Sequence, residues 1–163
     1  MKKAFTLVEI MVSVGLMSIL AIGVNTYFIS SLRSARKAAT NAIVKSEGEQ
    51  IQTNIVQMVK FAKRINVCTA TSLSILANDG SDVTYSVVSN RLSQNIIPPV
   101  PTPTVMANLN STKTSVLGCG GTTFTCVTGG RTVDLCFILS SVGAGDVTDA
   151  TSMTFRNYIY TSN

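Results

Sequence analysis

Three sets of residues in this 163-residue chain carry groups able to do chemistry. They are the cysteines Cys68, Cys119, Cys126 and Cys136, the acids Asp146 and Asp149, and Glu9, which stands alone in an apolar run. Thiols oxidise in pairs or bind metal. Neighbouring carboxylates hold calcium or move protons. Glu9 poses a different question. In KKAFTLVEIM, everything after the two lysines except Thr6 and Glu9 suits a membrane, and a carboxylate in lipid calls for a partner. The chain has no histidine, the side chain on which most acid–base and metal chemistry near neutral pH rests. No enzyme, no cofactor and no metal centre is expected.

The even cysteine count suits two disulfides in an oxidising compartment. Three pairings are open, and the spacing does not choose among them. The expectation is Cys119–Cys126, closing a short Gly/Thr loop, with Cys68–Cys136 tying a helix end to a sheet. Zinc is the rival, but there is neither a histidine nor a C-x-x-C knuckle; buried free thiols are a third option. Gly118, Gly120 and Gly121 lack the Gly-Lys-Ser/Thr ending of a phosphate loop. Asp146 and Asp149 bracket a loop and form a partial calcium set, although a solvated turn explains them as well.

Glu9 is placed by an apolar stretch from residue 5 to 29, in which only Thr6, Glu9, Ser13, Ser18, Asn25 and Thr26 are polar. About 20 helical residues cross a hydrocarbon core, so this is a transmembrane helix. A cleaved secretory signal would be shorter and end at a small-x-small site, which Ile19 and Ala21 fit poorly. Charge alone leaves the orientation open: Lys2 and Lys3 compete with Arg33, Arg36 and Lys37. Between residues 30 and 65 seven cations face two acids, whereas from residue 66 on four cations face five acids. The basic excess therefore reads as a collar near lipid headgroups, and nucleic-acid binding by the near-neutral remainder is not expected.

Lys2-Lys3-Ala4, then Phe5-Thr6-Leu7-Val8-Glu9, then the long apolar helix, resemble the type IV pilin and pseudopilin family. The resemblance covers about the first 30 residues. It implies a leader, 1–4, that stays in the cytoplasm until a prepilin peptidase cuts between Ala4 and Phe5 and methylates the new Phe5 amine. It also implies an inner-membrane, single-pass protein with its N-terminus inside and its head in the periplasm, later drawn into a filament. Other pilin subunits and an inner-membrane assembly platform are the implied partners. Phe5 and Glu9 are the implied assembly residues: one subunit's amine and a neighbour's carboxylate neutralise each other and set axial register, as a buried polar residue does in a coiled coil. The chain departs from the family's usual pattern twice. Ala4 stands where the family usually has Gly, and Thr26 stands where many major pilins have Pro. The second departure points toward a minor pilin or a pseudopilin. The alternatives are a minor pilin whose head binds DNA or a surface ligand, and a single-pass anchored protein that never assembles.

Beyond the membrane the pattern continues as helix over 30–65. Ile51, Ile55, Met58, Ala62 and Ile65 recur at spacings of four, three, four and three, one face of an amphipathic helix. Gly48 reads as a place where the helix loosens. From 66 to 163 short alternating runs predict a β-rich head. Leu73–Leu76 and Val83–Val88 flank the turn Asn78-Asp79-Gly80; Thr123–Val127 and Thr132–Val142 flank residues 128–131; Ser152–Tyr160 is a last strand. PPVPTP, residues 98–103, reads as a linker. Tyr158 and Tyr160 fall on the exposed face of the last strand. The expected fold is α+β: a long N-terminal helix whose second half packs on an antiparallel sheet of four to six strands.

Overall fold

A computed structural model of the chain describes residues 6–99, 104–127, 132–142 and 151–161. The leader, the cleavage positions Ala4 and Phe5, part of the proline-rich linker, the turn 128–131 and the acids Asp146 and Asp149 lie outside the described residues. The chain forms two compact units, Met1–Ala39 and Thr40–Asn163. Helix α1 (Leu7–Lys60) starts in the first and ends in the second.

The second unit is built on the last five turns of α1. Val44, Gly48, Ile51, Ile55 and Val59 are its buried positions, at spacings of four, three, four and four. Four of them are aliphatic side chains, each adding ~1.5–3 kcal/mol when fully buried. Gly48 is not a loose point: the Phe155 ring occupies the space that a Cβ at position 48 would need. The helix stops at Lys60 rather than 65. Lys63 N–H donates to Leu76 C=O at 2.8 Å, so the β-branched stretch Arg64–Cys68 is taken up as a strand along an available neighbour.

The strands are β1 (Arg64–Cys68), β2 (Ser72–Leu76), β3 (Asp82–Val88), β4 (Arg91–Ile97), β5 (Val105–Asn108), β6 (Thr114–Gly118), β7 (Phe124–Cys126), β8 (Thr132–Ser141) and β9 (Ser152–Tyr160). The α+β class, the two hairpins and the last strand read from the sequence are present, but the strands divide between two antiparallel sheets rather than one. β1 to β5 form a meander in chain order. In the other sheet β9 runs along one edge of β8, while the opposite edge is shared by β7, opposite Val133–Leu135, and β6, opposite Phe137–Ser141. The meander gained β4 through a two-residue turn at Ser89-Asn90, where φ is 51° and 62°. A turn with positive φ at both central residues matches strand twist, but Ser-Asn lacks the glycine that normally signals it.

Both sheets contribute to one core with α1, through residues such as Leu73, Tyr85 and Leu92 on one side and Phe124, Leu135 and Phe137 on the other. Tyr85 and Asn110 carry paired polar groups through this core. The Tyr85 hydroxyl donates to Asn54 Oδ1 at 2.9 Å and accepts from Gln94 Nε2 at 3.2 Å, and burial raises the pKa of its phenol. Asn110 bridges the sheets: its Oδ1 accepts the Leu92 N–H at 2.9 Å and its Nδ2 donates to Thr114 C=O at 2.8 Å.

The disulfides are Cys68–Cys126 and Cys119–Cys136, which corrects the expected pairing of Cys119 with Cys126 and Cys68 with Cys136. Strand alternation is the reason. Along β8, Val133, Leu135, Phe137 and Leu139 point into the core, so Cys136 lies in the outward phase. Cys126 shares the inward phase of Phe124, and both Cys126 and Cys68 pack against the core. Gly118 lets the chain double back, because a Cβ there would strike the Thr122 backbone. The excursion brings Cys119 beside Cys136, whose N–H donates to Thr123 C=O at 2.9 Å. With all four sulfurs bridged, no thiolate remains as a zinc ligand.

Candidate functional site: the apolar helix and its lone acid

Thr6 begins α1 as an N-cap. Its hydroxyl accepts the Glu9 N–H at 3.4 Å, and its carbonyl accepts the N–H of Glu9 at 3.1 Å and of Ile10 at 3.3 Å. Thr6-Leu7-Val8-Glu9 has the S/T-x-x-E spacing of a capping box, a helix-start signal legible in the sequence. An acid in the first turn is also favoured by the helix dipole. Glu9 thus has a local reason to exist, but among the described residues its carboxylate has no ion-pair partner.

The hydroxyls of Ser13, Ser18 and Thr26 in the span are satisfied internally. Ser13 Oγ donates to Glu9 C=O at 2.7 Å, Ser18 Oγ to Val14 C=O at 2.8 Å and Thr26 Oγ1 to Ile22 C=O at 2.9 Å. Such bonds to the carbonyl four residues back let hydroxyls sit in lipid with their donors satisfied. Every described residue from Thr6 to Ala39 is exposed, including Leu7, Met11, Met17, Leu20 and Phe28. An apolar surface of this extent, long enough to cross a bilayer, requires lipid or other helices around it. Ser13, Val14, Met17, Ser18 and Ala21 line a shallow hollow on it, the small-residue texture that allows close helix approach in membranes.

In the head, Tyr158 and Tyr160 are exposed as expected, at 56% and 70%. Arg156 stacks over the Tyr158 ring with its guanidinium carbon 5.0 Å from the centroid, and binds both carboxylate oxygens of Asp134 at 2.7 and 3.2 Å. The reading of the sequence missed Glu47. On α1, it accepts the Thr114 hydroxyl at 2.6 Å and the Ser111 N–H at 3.4 Å, fastening the β5–β6 connection to the helix. Burial works to raise its pKa, but the hydrogen bonds from Ser111 and Thr114 and the charge of Lys113 outweigh it, so the pKa lies below 4.5. A depressed folded value means that Glu47 stabilises the head fully above its unfolded pKa and loses that contribution as pH falls through the folded one. Glu47→Gln is therefore expected to cost about 1 kcal/mol at pH 7 and almost nothing near pH 2, as read by denaturant titration of both proteins at the two pH values. An equal cost at both would assign Glu47 a purely steric role.

Residues 1–25 match the prokaryotic N-terminal methylation motif, the type IV prepilin-like signal for cleavage and methylation. The matched motif, the long apolar helix and the disulfide-bonded β head together fit a membrane-anchored chain of the pilin-like kind. Such a motif implies processing by a peptidase and assembly with other pilin subunits. No curated protein and no solved structure matches the chain.

Proposed function

We propose that this protein is a minor pilin or pseudopilin, a structural subunit of a type IV pilus or a secretion pseudopilus. The single observation that carries this reading is an exposed membrane-length helix bearing one carboxylate with no ion-pair partner among the described residues. Prepilin peptidase cuts between Ala4 and Phe5 and methylates the Phe5 amine. The N-terminus faces the cytoplasm and the head the periplasm. An assembly platform then draws the subunit from the inner membrane into the filament. There the Phe5 ammonium of one copy meets Glu9 of the next, and the hollow at Ser13, Ser18 and Ala21 receives a neighbouring helix.

Two measurements test this. Mass spectrometry of the purified protein should find a chain beginning at methylated Phe5; an intact Met1-Lys2-Lys3 terminus in filament fractions counts against it. Glu9→Ala should leave membrane insertion unchanged and deplete the sheared filament fraction. Losing ~2 kcal/mol per subunit contact weakens each association about 30-fold. Normal assembly by that variant would overturn the assembly role of Glu9, whereas absence of the parent protein from the filament fraction would support the anchored, non-assembling reading instead.

A further inference from the structure

The two bridges interleave. In chain order the cysteines are 68, 119, 126 and 136, and the first pairs with the third, the second with the fourth. The bonds span 58 and 17 residues, whereas Cys119 and Cys126 stand only seven apart, separated by GGTTFT. In an unfolded chain the shorter loop closes about four times more often than the 17-residue one, by the three-halves power of loop length. Cys119 with Cys126 is therefore the most frequent first bridge, about 1.7 times ahead of Cys126 with Cys136 on the same law. It leaves Cys68 to Cys136, and either local bridge is non-native. The folded head has no place for that arrangement. Cys126 lies in the inward phase of β7 beside Phe124, while Cys119 follows the outward phase of Leu117 and meets the outward Cys136. Chain emerging N-terminus first mispairs as well, because Cys68 then meets Cys119 before Cys126 appears.

We infer that maturation of this head passes through redox-neutral thiol–disulfide isomerisation, and that a dithiol catalyst which accelerates it is one of its partners in addition to a disulfide oxidant. Oxidation of the four thiols delivers four electrons and four protons to two equivalents of a disulfide oxidant and yields the locally paired isomer. A catalyst thiolate then attacks Cys126 Sγ, forming a mixed disulfide and releasing the Cys119 thiolate. Cys119 attacks Cys136 Sγ and releases the Cys68 thiolate. Cys68 attacks Cys126 Sγ and returns the catalyst thiolate, so no electron is gained or lost. This inference rests on the fold and is independent of the pilin reading except for the oxidising compartment.

The test uses the full chain in detergent micelles, reduced in denaturant and then returned to native buffer. Oxidised glutathione alone is compared with oxidised glutathione plus protein disulfide isomerase, and bridges are mapped by mass spectrometry of non-reduced peptides. With oxidant alone, Cys119–Cys126 is expected to dominate the early products and the native pair to accumulate slowly. The catalyst should speed the appearance of Cys68–Cys126 at least tenfold. A Cys119→Ala/Cys136→Ala variant, which has no wrong partner, should form Cys68–Cys126 equally fast in both conditions. Direct formation of the interleaved pair by oxidant alone, at the same rate with and without catalyst, would overturn the inference. Filament assembly does not enter these readouts, so their failure and the failure of the proposed function are distinguishable.

Discussion

Replacing Cys68 and Cys126 together by serine is expected to lower the unfolding free energy of the head by about 4 kcal/mol. The bridge closes a loop of 58 residues, and the chain-entropy treatment of a loop that long gives a value of this size. The corresponding loss for the 17-residue bridge, Cys119–Cys136, is about 3 kcal/mol on the same reasoning. Cys68–Cys126 also joins β1 of one sheet to β7 of the other, where the N–H groups of Thr123 and Phe124 converge on Ala70 C=O at 2.7 and 3.3 Å. Its loss therefore loosens the seam between the sheets as well as lengthening the free chain. Guanidinium titration of the micelle-solubilised protein measures the difference. A thiol count checks the pairing in the same sample, because removing true partners leaves no free thiol, whereas removing one member of each of two bridges leaves two. A loss below ~1 kcal/mol, or two titratable thiols, would contradict the pairing.

The second large effect is at Gly48. Substitution by valine is expected to destabilise the head by about 3 kcal/mol, the upper part of the range for forcing side-chain atoms into a packed core. The Phe155 ring lies over the Gly48 backbone and stacks on Phe137 with centroids 5.2 Å apart. A side chain at 48 must displace that pair and, with it, the register of β9 on the helix. Alanine is the sharper probe. Helix propensity alone predicts that Gly48→Ala stabilises by about 1 kcal/mol, but the clash predicts net destabilisation. Shortening the ring with Phe155→Leu should make the two substitutions non-additive, with a coupling of about 1–2 kcal/mol in a double-mutant cycle. A stabilising Gly48→Ala would mean that the contact yields easily.

Much of the architecture was legible because it rests on local periodicity. The long apolar helix follows from 25 residues with only six polar positions. The packing face around Ile51 and Ile55 follows from spacing, and the final strand from the alternation of Met153, Phe155 and Ile159. The capping box at Thr6 and Glu9 was legible too, but the isolation of Glu9 among apolar residues drew the reading toward its charge. The phase of the cysteines was also present: Cys136 falls between Leu135 and Phe137, out of step with the inward residues, whereas Cys126 is in step with Phe124. That signal has meaning only once it is known which strands are neighbours.

The N-terminal unit, Met1–Ala39, is a matter of local pattern. An apolar run of this length writes its helix residue by residue, so the helix, its cap and its one acid are determined by the sequence alone. The head was decided by tertiary structure. Whether Ile65 ends a helix or starts a strand depends on β2 offering an edge, and Gly48 is a contact point only because Phe155 arrives from more than a hundred residues away. The first sheet runs on past the expected hairpin because Ser89-Asn90 turns without a glycine and carries β3 into β4. The cysteines pair across long loops because burying Phe124, Leu135 and Phe137 together outweighs the modest entropy that favours nearer partners.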